Sequence, residues 1–304
     1  MTNPASNPDN PDLAASQLNL KLAQLREEID AVDTALHDLL LRRAGIVAKI
    51  RQVKSGGPAL RPGREAQILR RLAKRHAPHA HGGIGLANIL RIWREMIDSL
   101  TMFQSPFSIG LVSSGDMRQA YSLRDVVRDH YGSYTPLSLY ADADQALNAA
   151  QDGAITLAIL PYPTARELWW ATLTTRSSSL KIVACLPFFV AKDQPVTIEN
   201  IGFVIAAFPA EPSGLDRSLV TMNGPLLPQT GNEFTSRLAE AWPEAVVMAA
   251  DKKNNLLLVD APGFIETPQS IPEKALKILG SSLTDVHILG SYAVPLYHDT
   301  QGNS

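Results

Sequence analysis

Arginine and lysine side chains are the residues in the first hundred positions whose types and spacing suit them to chemistry. Arg43 and Lys54 are eleven residues apart, and eleven steps of about 100° bring a helix back to within about 20° of its starting direction. Both side chains therefore project from one face, about 16 Å apart along the axis, and can converge on one bound molecule. Arg26 lies about 25 Å before Arg43 and about 100° around the helix, so it reaches the same small ligand only from an antiparallel partner helix.

Three helices must position these side chains. Apolar residues recur with a helical period, without a proline, over about 20–54, which predicts a helix of about 35 residues and about 50 Å. One short partner helix cannot cover both ends of such a helix, which favours a dimer. Gly56, Gly57 and Pro58 end it, and two further helices are predicted over about 64–76 and 84–103.

The first 105 residues contain many cationic side chains but no candidate for covalent or acid–base catalysis. They contain no cysteine, no serine beside a buried histidine and no close pair of carboxylates on one face. They carry 15 Lys and Arg against 10 Asp and Glu, a net charge of +5, whereas the remaining residues carry 13 against 20, a net charge of −7. The two parts of the chain are therefore built differently, and the basic part is suited to an anionic ligand.

The complete pattern of these residues resembles a known family. It comprises Leu25-Arg26 with Ile29-Asp30 and Asp33, then Arg43, Lys54, the segment Arg61-Pro-Gly-Arg64-Glu65, and Gln104 at the end of the third helix. Over about 22–104 the sequence resembles the all-helical, type II chorismate mutases. The resemblance implies three helices that form an intertwined homodimer, with chorismate as the substrate and no cofactor.

The reaction that the resemblance implies requires neither a nucleophile nor a proton shuttle. Chorismate becomes prephenate in a pericyclic step, in which an ether bond breaks as a carbon–carbon bond forms, so catalysis needs orientation and charge stabilisation. By the resemblance, Arg43 and Arg26 of the partner chain bind the two carboxylates, and Lys54 and Gln104 contact the ether oxygen. Glu65 accepts a hydrogen bond from the ring hydroxyl, and Arg64 helps to order the site.

Two positions depart from the family pattern. Arg61 stands where an acidic residue can contribute to the site, and Leu100 stands where relatives often have a serine, with Ser99 one residue away. Arg61 and Ser99 are therefore additional candidates for substrate binding. The histidine-rich stretch 76–81 reads as a loop with no acidic residue or cysteine nearby, so no metal site is predicted.

After Pro106 the sequence changes from long helices to short strands, with helical stretches between some of them. Segments 113–115, 146–163 and 199–203 resemble a prephenate dehydratase domain. From Ser218 onward the predicted order is βαββαβ, which is ferredoxin-like, and this part resembles an ACT regulatory domain. The predicted fold class is therefore a multidomain chain, an all-α part followed by an α/β part with a periplasmic-binding-like remnant and an ACT-like end.

The dehydratase resemblance lacks its catalytic motif. The family carries Thr-Arg-Phe, where the threonine and the arginine serve catalysis, whereas the matching positions here are Ile201-Gly202-Phe203. The span 106–217 is also short for both lobes of that fold. This part is expected to be a scaffold or a regulatory region, with phenylalanine or tyrosine as the implied effector.

These observations give predicted boundaries and exclude several classes of protein. We predict a disordered leader at 1–18, a chorismate mutase domain at 19–105, a degenerate dehydratase-like domain at 106–217 and an ACT-like domain at 218–304. The lone Cys185 excludes a disulfide framework, no apolar run reaches the length of a membrane helix, and the N-terminus does not read as a signal peptide. A cytoplasmic protein with no membrane or nucleic-acid partner is expected.

Three functional hypotheses remain open at this point. The leading one is a dimeric chorismate mutase of phenylalanine and tyrosine biosynthesis whose second half is non-catalytic. The second is a bifunctional chorismate mutase and prephenate dehydratase. The third is a regulatory protein that binds an amino acid and whose mutase site is vestigial.

Overall fold

The structure is a computed structural model that describes residues 11–53, 59–76, 83–113, 117–164, 167–175, 179–191, 196–223 and 232–297. The chain divides into two compact units, Met1–Gly57 and Pro58–Ser304. The first unit contains helix α1 (Pro11–Val53). This helix begins inside the segment 1–18 that the sequence predicts to be a disordered leader, because proline's fixed φ suits the first turn of a helix.

Helix α1 exposes a long apolar stripe. The stripe recurs with the helical period that the sequence predicts, and its side chains are between 42% and 59% exposed; they are Leu22, Leu25, Ile29, Val32, Leu36, Leu39, Leu40, Ile46 and Ile50. An exposed apolar surface of this extent is typical of an interaction face.

The second unit contains two helices followed by an α/β region. Helices α2 (Pro62–His76) and α3 (Leu86–Gln104) precede β1 (Ile109–Val112), α4 (Met117–Tyr131), β2 (Leu137–Tyr140), α5 (Ala143–Gln151), β3 (Leu157–Pro161), α6 (Trp169–Thr175), β4 (Lys181–Leu186), β5 (Phe189–Val190) and β6 (Gly202–Ala206). The chain continues through β7 (Asp216–Asn223), α7 (Asn232–Ala241), β8 (Val246–Asp251), β9 (Leu256–Pro262), α8 (Glu273–Leu279), β10 (Val286–Ala293) and β11 (Leu296–Tyr297). No helix in these described ranges combines the length and the hydrophobicity that crossing a membrane requires.

Nine of the described strands form one sheet in the order β2-β1-β3-β6-β4-β10-β7-β9-β8, and β5 pairs with β11 separately. Strands β2, β1 and β3 are parallel, and β6 runs antiparallel to both β3 and β4. The other end, β10-β7-β9-β8, arises from a βαββαβ order, as the ferredoxin-like prediction requires. The predicted fold class, helices followed by an α/β part with a ferredoxin-like end, is confirmed for the single chain.

Gly290 joins the two ends of the sheet. It pairs with Ile182, the one register position that joins β10 to β4 among the described residues, next to a bulge in β10. Gly290 has φ +144°, and a Cβ there would lie 2.2 Å from the carbonyl oxygen of Ile182. The sheet is therefore continuous across position 217/218. The domain boundaries at 105/106 and 217/218 stay predictions.

Arg70 fastens α2 to the α/β region. Its Nη1 donates to the hydroxyl and the carbonyl of Ser213, at 2.9 and 3.3 Å, and its Nη2 donates to the carbonyl oxygens of Leu215 and Val294, at 2.9 and 2.7 Å. The guanidinium also lies 5.6 Å from the ring centroid of Phe188. A small apolar core beside this contact comprises Ala66, Leu69, Leu86, Leu90 and Phe188. Helices α2 and α3 thus pack on the sheet region rather than forming a separate body.

The close approach at Gly290 predicts the effect of a methyl group. We expect Gly290→Ala to lower the free energy of unfolding by about 2–3 kcal/mol, because the added Cβ meets backbone atoms of Ile182 and the backbone conformation disfavours an L side chain. Gly85→Ala is the matched control, since a Cβ there meets nothing within 4 Å, and we expect a change below about 1 kcal/mol. Equal urea midpoints for the two variants would contradict the continuous sheet.

Candidate active site

Helix α1 carries two of the predicted arginines. Arg26 is exposed, whereas Arg43 is half-buried, and burial lowers the pKa of its guanidinium, which stays charged at neutral pH. Its Nη1 is buried and has no hydrogen-bond partner among the described residues. The neighbouring Arg42 is exposed, since adjacent residues project from different faces of a helix. Lys54 follows the last residue of α1 and lies outside the described residues.

The arginines at the start of α2 have protein partners. Arg61 forms an ion pair with Glu211, in which its Nε donates to both carboxylate oxygens at 2.9 Å. Arg64 Nη1 donates to Oε1 of Gln67 at 3.1 Å, within one turn of the same helix. Arg61 therefore contributes to the attachment of α2 to the segment before β7, a contact that the sequence does not indicate.

Glu65 is the predicted site residue whose surroundings are most perturbed. Glu65 lines a cavity of about 20 Å³ between α2 and the sheet, together with Leu69, His130, Cys185 and Phe188. Burial raises the pKa of Glu65 to about 7, against smaller opposing effects of the Arg61 backbone and the Arg94 guanidinium. Glu65 therefore changes its charge near neutral pH.

A buried polar cluster surrounds Glu65, formed by Arg94 and Asp98 of α3 and by His130 and Tyr131 of α4. Burial, with the nearby carboxylates of Glu65 and Glu95, raises the pKa of Asp98 to about 9. Burial and the Arg94 charge lower the pKa of His130 well below its usual value. At neutral pH Asp98 and His130 are consequently uncharged, and Arg94 supplies the positive charge.

The hydrogen bonds of this cluster are incomplete. Arg94 Nη1 donates to Oδ2 of Asp129 at 3.0 Å. Within this cluster, five buried atoms have no partner among the described residues: Nε and Nη2 of Arg94, Oδ2 of Asp98, Nδ1 of His130 and the hydroxyl of Tyr131. Native cores rarely leave so many polar atoms unpaired in one place, and such places are often functional.

Sequence reasoning missed this cluster, although a signal was present. Arg94 and Asp98 follow Leu90 at intervals of four residues, and all three are buried on one face of α3. Two charged residues on the apolar face of an amphipathic helix are the pattern that could have indicated them. His130 and Tyr131 carry no comparable signal, because only the packing of α4 against α3 brings them to Glu65.

The two remaining candidates lie on different faces of α3. Gln104 is the last residue of α3, is half-buried and follows the buried Ile97 by seven residues, so it shares that face. Ser99 is exposed, and its position leaves it outside the buried face. A cavity of about 400 Å³ between α3 and α4 is lined by Arg91, Arg94 and Asp129 among others, but by none of the predicted site residues.

The position that matches the dehydratase motif has no room for a side chain. Gly202 begins the fully buried strand β6, and a Cβ there would lie 2.7 Å from Leu123 Cδ1 and 3.1 Å from Ile159 Cγ2. Arginine at this position would require the core beneath β6 to rearrange.

Comparisons with solved structures give matches of low sequence identity. Structures with similar folds include GqqA, described as a novel type of quorum quenching acylase, with 17% identity and a TM-score of 0.40 over 61% of this chain and 94% of that one. Prephenate dehydratase from Streptococcus mutans has 14% identity and a TM-score of 0.38 over 63% and 100%, respectively. Prephenate dehydratase from Arthrobacter aurescens, in complex with L-Phe, has 14% identity and a TM-score of 0.37 over 61% and 89%.

No curated protein matches the chain. The family model that matches does so at residues 25–105, over α1, α2 and α3, and it is described as Chorismate mutase type II. The match includes the positions of Arg26, Arg43, Lys54, Glu65 and Gln104, and it ends before the first strand. Residues 25–105 thus correspond to the type II chorismate mutase family.

Proposed function

We propose that the protein catalyses the rearrangement of chorismate to prephenate in phenylalanine and tyrosine biosynthesis. The observation that carries the proposal is the family match at residues 25–105, together with the presence of every cation that the reaction requires in that segment. A vestigial site would have lost some of them, whereas Arg26, Arg43, Lys54 and Arg64 are all present.

The roles follow from the charge of the substrate. Chorismate carries two carboxylates, and arginine binds a carboxylate through two parallel hydrogen bonds, which fixes its orientation as well as its charge. Arg43 and Arg26 of a partner chain hold the substrate in its compact conformation. Lys54 and Gln104 stabilise the charge that develops on the ether oxygen as its bond breaks.

A second copy of the chain completes the site in this proposal. Arg26 and Arg43 are about 25 Å apart along α1, so one chain cannot bring both to one small ligand. The exposed apolar stripe of α1 supports an antiparallel pairing of two such helices, which would bury the stripe. Each of the two sites then contains Arg43 of one chain and Arg26 of the other.

The α/β half is proposed to be non-catalytic. The matching positions of the dehydratase motif lack the hydroxyl and the guanidinium, and a Cβ at Gly202 alone would lie 2.7 Å from Leu123 Cδ1. A bifunctional enzyme, the alternative hypothesis, would convert prephenate to phenylpyruvate. The absence of phenylpyruvate after incubation with prephenate removes that alternative, and its appearance would support it.

Removal of either cation predicted at the core of the site tests the mutase proposal. We expect Arg43→Ala and Lys54→Ala each to lower kcat/KM for chorismate by about 10²–10³, the usual cost of removing one donor to a developing charge. The loss of chorismate absorbance measures the rate. Arg42→Ala and Lys49→Ala are controls on the same helix, since both side chains are exposed. An inactive wild-type chain, or equal losses in the test and control variants, would refute the proposal.

A complementation experiment tests whether the site is shared between two chains. Arg26→Ala and Arg43→Ala should each be inactive as homodimers. A heterodimer of the two variants has one site with both arginines intact, so an equal mixture that has exchanged subunits should recover about one quarter of the wild-type activity. Mixtures of Arg43→Ala with Lys54→Ala are the control, because those two residues belong to the same chain in every site. No recovery with the first pair would contradict the shared site.

The raised pKa of Glu65 predicts the pH dependence of the reaction. The carboxylate accepts a hydrogen bond from the ring hydroxyl better when it is ionised, and its pKa is about 7 in the free protein. We therefore expect kcat/KM to rise as the pH increases through about 7 and then to level off. Glu65→Gln keeps an acceptor without the titration, so its profile should be flat over this range. A rise of the same size in Glu65→Gln would show that another group titrates.

A further inference from the structure

The segment 211–215, which directly precedes β7, holds one face of α2; we call it the pre-β7 segment. That face comprises Gly63, Gln67 and Arg70, which are four and three residues apart and therefore lie one above another on the helix. All three contact the pre-β7 segment. Because the contacts span about two turns of a helix, they fix its rotation about its own axis as well as its position.

The closest approach is at Gly63, in the first turn of α2. Gly63 is buried, and a Cβ there would lie 2.3 Å from the carbonyl oxygen of Glu211 and 3.0 Å from its carbonyl carbon. A side chain at this position would therefore push the two backbones apart. Arg61, which precedes the helix, adds an ion pair with the carboxylate of Glu211, in which Nη2 lies 2.8 Å from Oε1. The backbone and the side chain of Glu211 thus both hold the start of α2.

Gln67 connects the pre-β7 segment to a predicted site residue. Its Nε2 donates to the carbonyl oxygen of Pro212 at 3.2 Å, and its Oε1 accepts a hydrogen bond from Arg64 Nη1 at 3.1 Å. A backbone carbonyl only accepts and a guanidinium only donates, so the side-chain amide satisfies both in one orientation. Glutamate would lack the donor for Pro212, and methionine would lack both groups. The side chain of Arg64, which is exposed, is thereby tied to the α/β half.

Asp216, the first residue of β7, fixes the pre-β7 segment to the sheet. Its carboxylate is buried and accepts hydrogen bonds from the backbone N–H of Ser213, at 2.9 and 3.1 Å, and from that of Gly214, at 3.1 Å. An aspartate that accepts such bonds holds a turn in one conformation. The residues that contact α2 therefore belong to a fixed part of the sheet region.

The rotation of α2 determines the directions of two predicted site residues. At about 100° per residue, Arg64 and Glu65 project about 100° and 200° around the helix from Gly63. Ala66 and Leu69, on another side of α2, are buried in the apolar core against the sheet region. A helix that is held on two sides cannot turn without breaking one set of contacts, so the α/β half sets both directions.

We propose that the pre-β7 segment is a positioning element of the mutase site, in which Gln67 and Glu211 act as positioning residues. Neither touches the substrate in this proposal: Gln67 acts through Arg64, and Glu211 acts through the start of α2. Arg61 is neutralised by Glu211 and does not bind the substrate. The α/β half is then non-catalytic but required for full mutase activity. This inference rests on the proposed mutase function and adds residues beyond position 105 to it.

Substitutions of Gln67 in the full chain test the link to Arg64. Gln67→Met removes both hydrogen bonds, whereas Gln67→Glu keeps the acceptor for Arg64 and loses the donor to Pro212. We expect each to lower kcat/KM for chorismate by about three- to tenfold, as for one or two lost hydrogen bonds. Gln145→Met is the matched control, because Gln145 is an exposed glutamine of α5 that donates to Asp142, and it should change nothing. Wild-type kcat/KM in either Gln67 variant would overturn the proposal.

A charge swap tests Glu211. Glu211→Arg places two like charges together and should lower kcat/KM by about three- to fivefold, whereas the double variant Arg61→Glu with Glu211→Arg restores a pair of opposite charges and should recover most of the loss. Glu273→Arg removes an exposed ion pair with Lys277 in α8, and this control should leave the rate unchanged. A double variant as impaired as Glu211→Arg would overturn the proposal, because Arg61 would then be needed for itself and not for its pairing.

Rates and folding are measured together for every variant. Each rate is measured well below the thermal midpoint of that variant, so a lowered kcat/KM reflects the orientation of α2 and not unfolding. An active wild-type chain with unchanged variants overturns the positioning role alone. A wild-type chain without mutase activity overturns the proposed function, and this inference with it.

Discussion

The guanidinium of Arg70 is the contact on which the arrangement of the second unit depends. It reaches from α2 to backbone carbonyls of Ser213, Leu215 and Val294, which lie on the segment before β7 and after β10. Its hydrogen bonds to the Ser213 and Val294 carbonyl oxygens are partly buried, whereas the one to Leu215 is exposed. The contact therefore holds α2 against one end of the antiparallel β7–β10 pair, where the start of β7 lies beside the end of β10, and α3 follows because it packs on α2.

The attachment of α2 determines the electrostatics around Glu65. Once α2 and α3 lie on the sheet, Arg94 and Asp98 are buried with His130 and Tyr131, and Glu65 is half-buried beside them. Desolvation then favours the neutral forms of the carboxyl groups and of the histidine. Arg94 retains its charge, but it opposes the effect of desolvation only in part. The pKa is therefore about 7 for Glu65 and about 9 for Asp98.

Charged side chains are arranged differently in the helical part and in the α/β part of the chain. The helical part concentrates cations, and this suits a dianionic substrate that needs fixed positive groups and no matching acids. In the α/β part, Arg217 and Asp260 form an ion pair in which the two side chains are 19% and 14% exposed and the two charges cancel. At Gly202 a Cβ would lie 2.7 Å from Leu123 Cδ1, so a cationic side chain there would require the core beneath β6 to rearrange.

Local patterns determined much of this protein. The helical period predicted α1, the Gly and Pro residues predicted its end, and the spacing of short apolar runs predicted the βαββαβ order, because side-chain burial follows the period of each element. The spacing of Arg26, Arg43, Lys54 and Glu65 was enough to indicate the family. Tertiary structure alone decided which elements share a core: the hydrogen bonds of Arg70, the pairing of Arg61 with Glu211 and the union of the sheet at Gly290 all join residues more than a hundred positions apart. No local period encodes such contacts, since they depend on the packing of whole elements rather than on the spacing of residues within one of them.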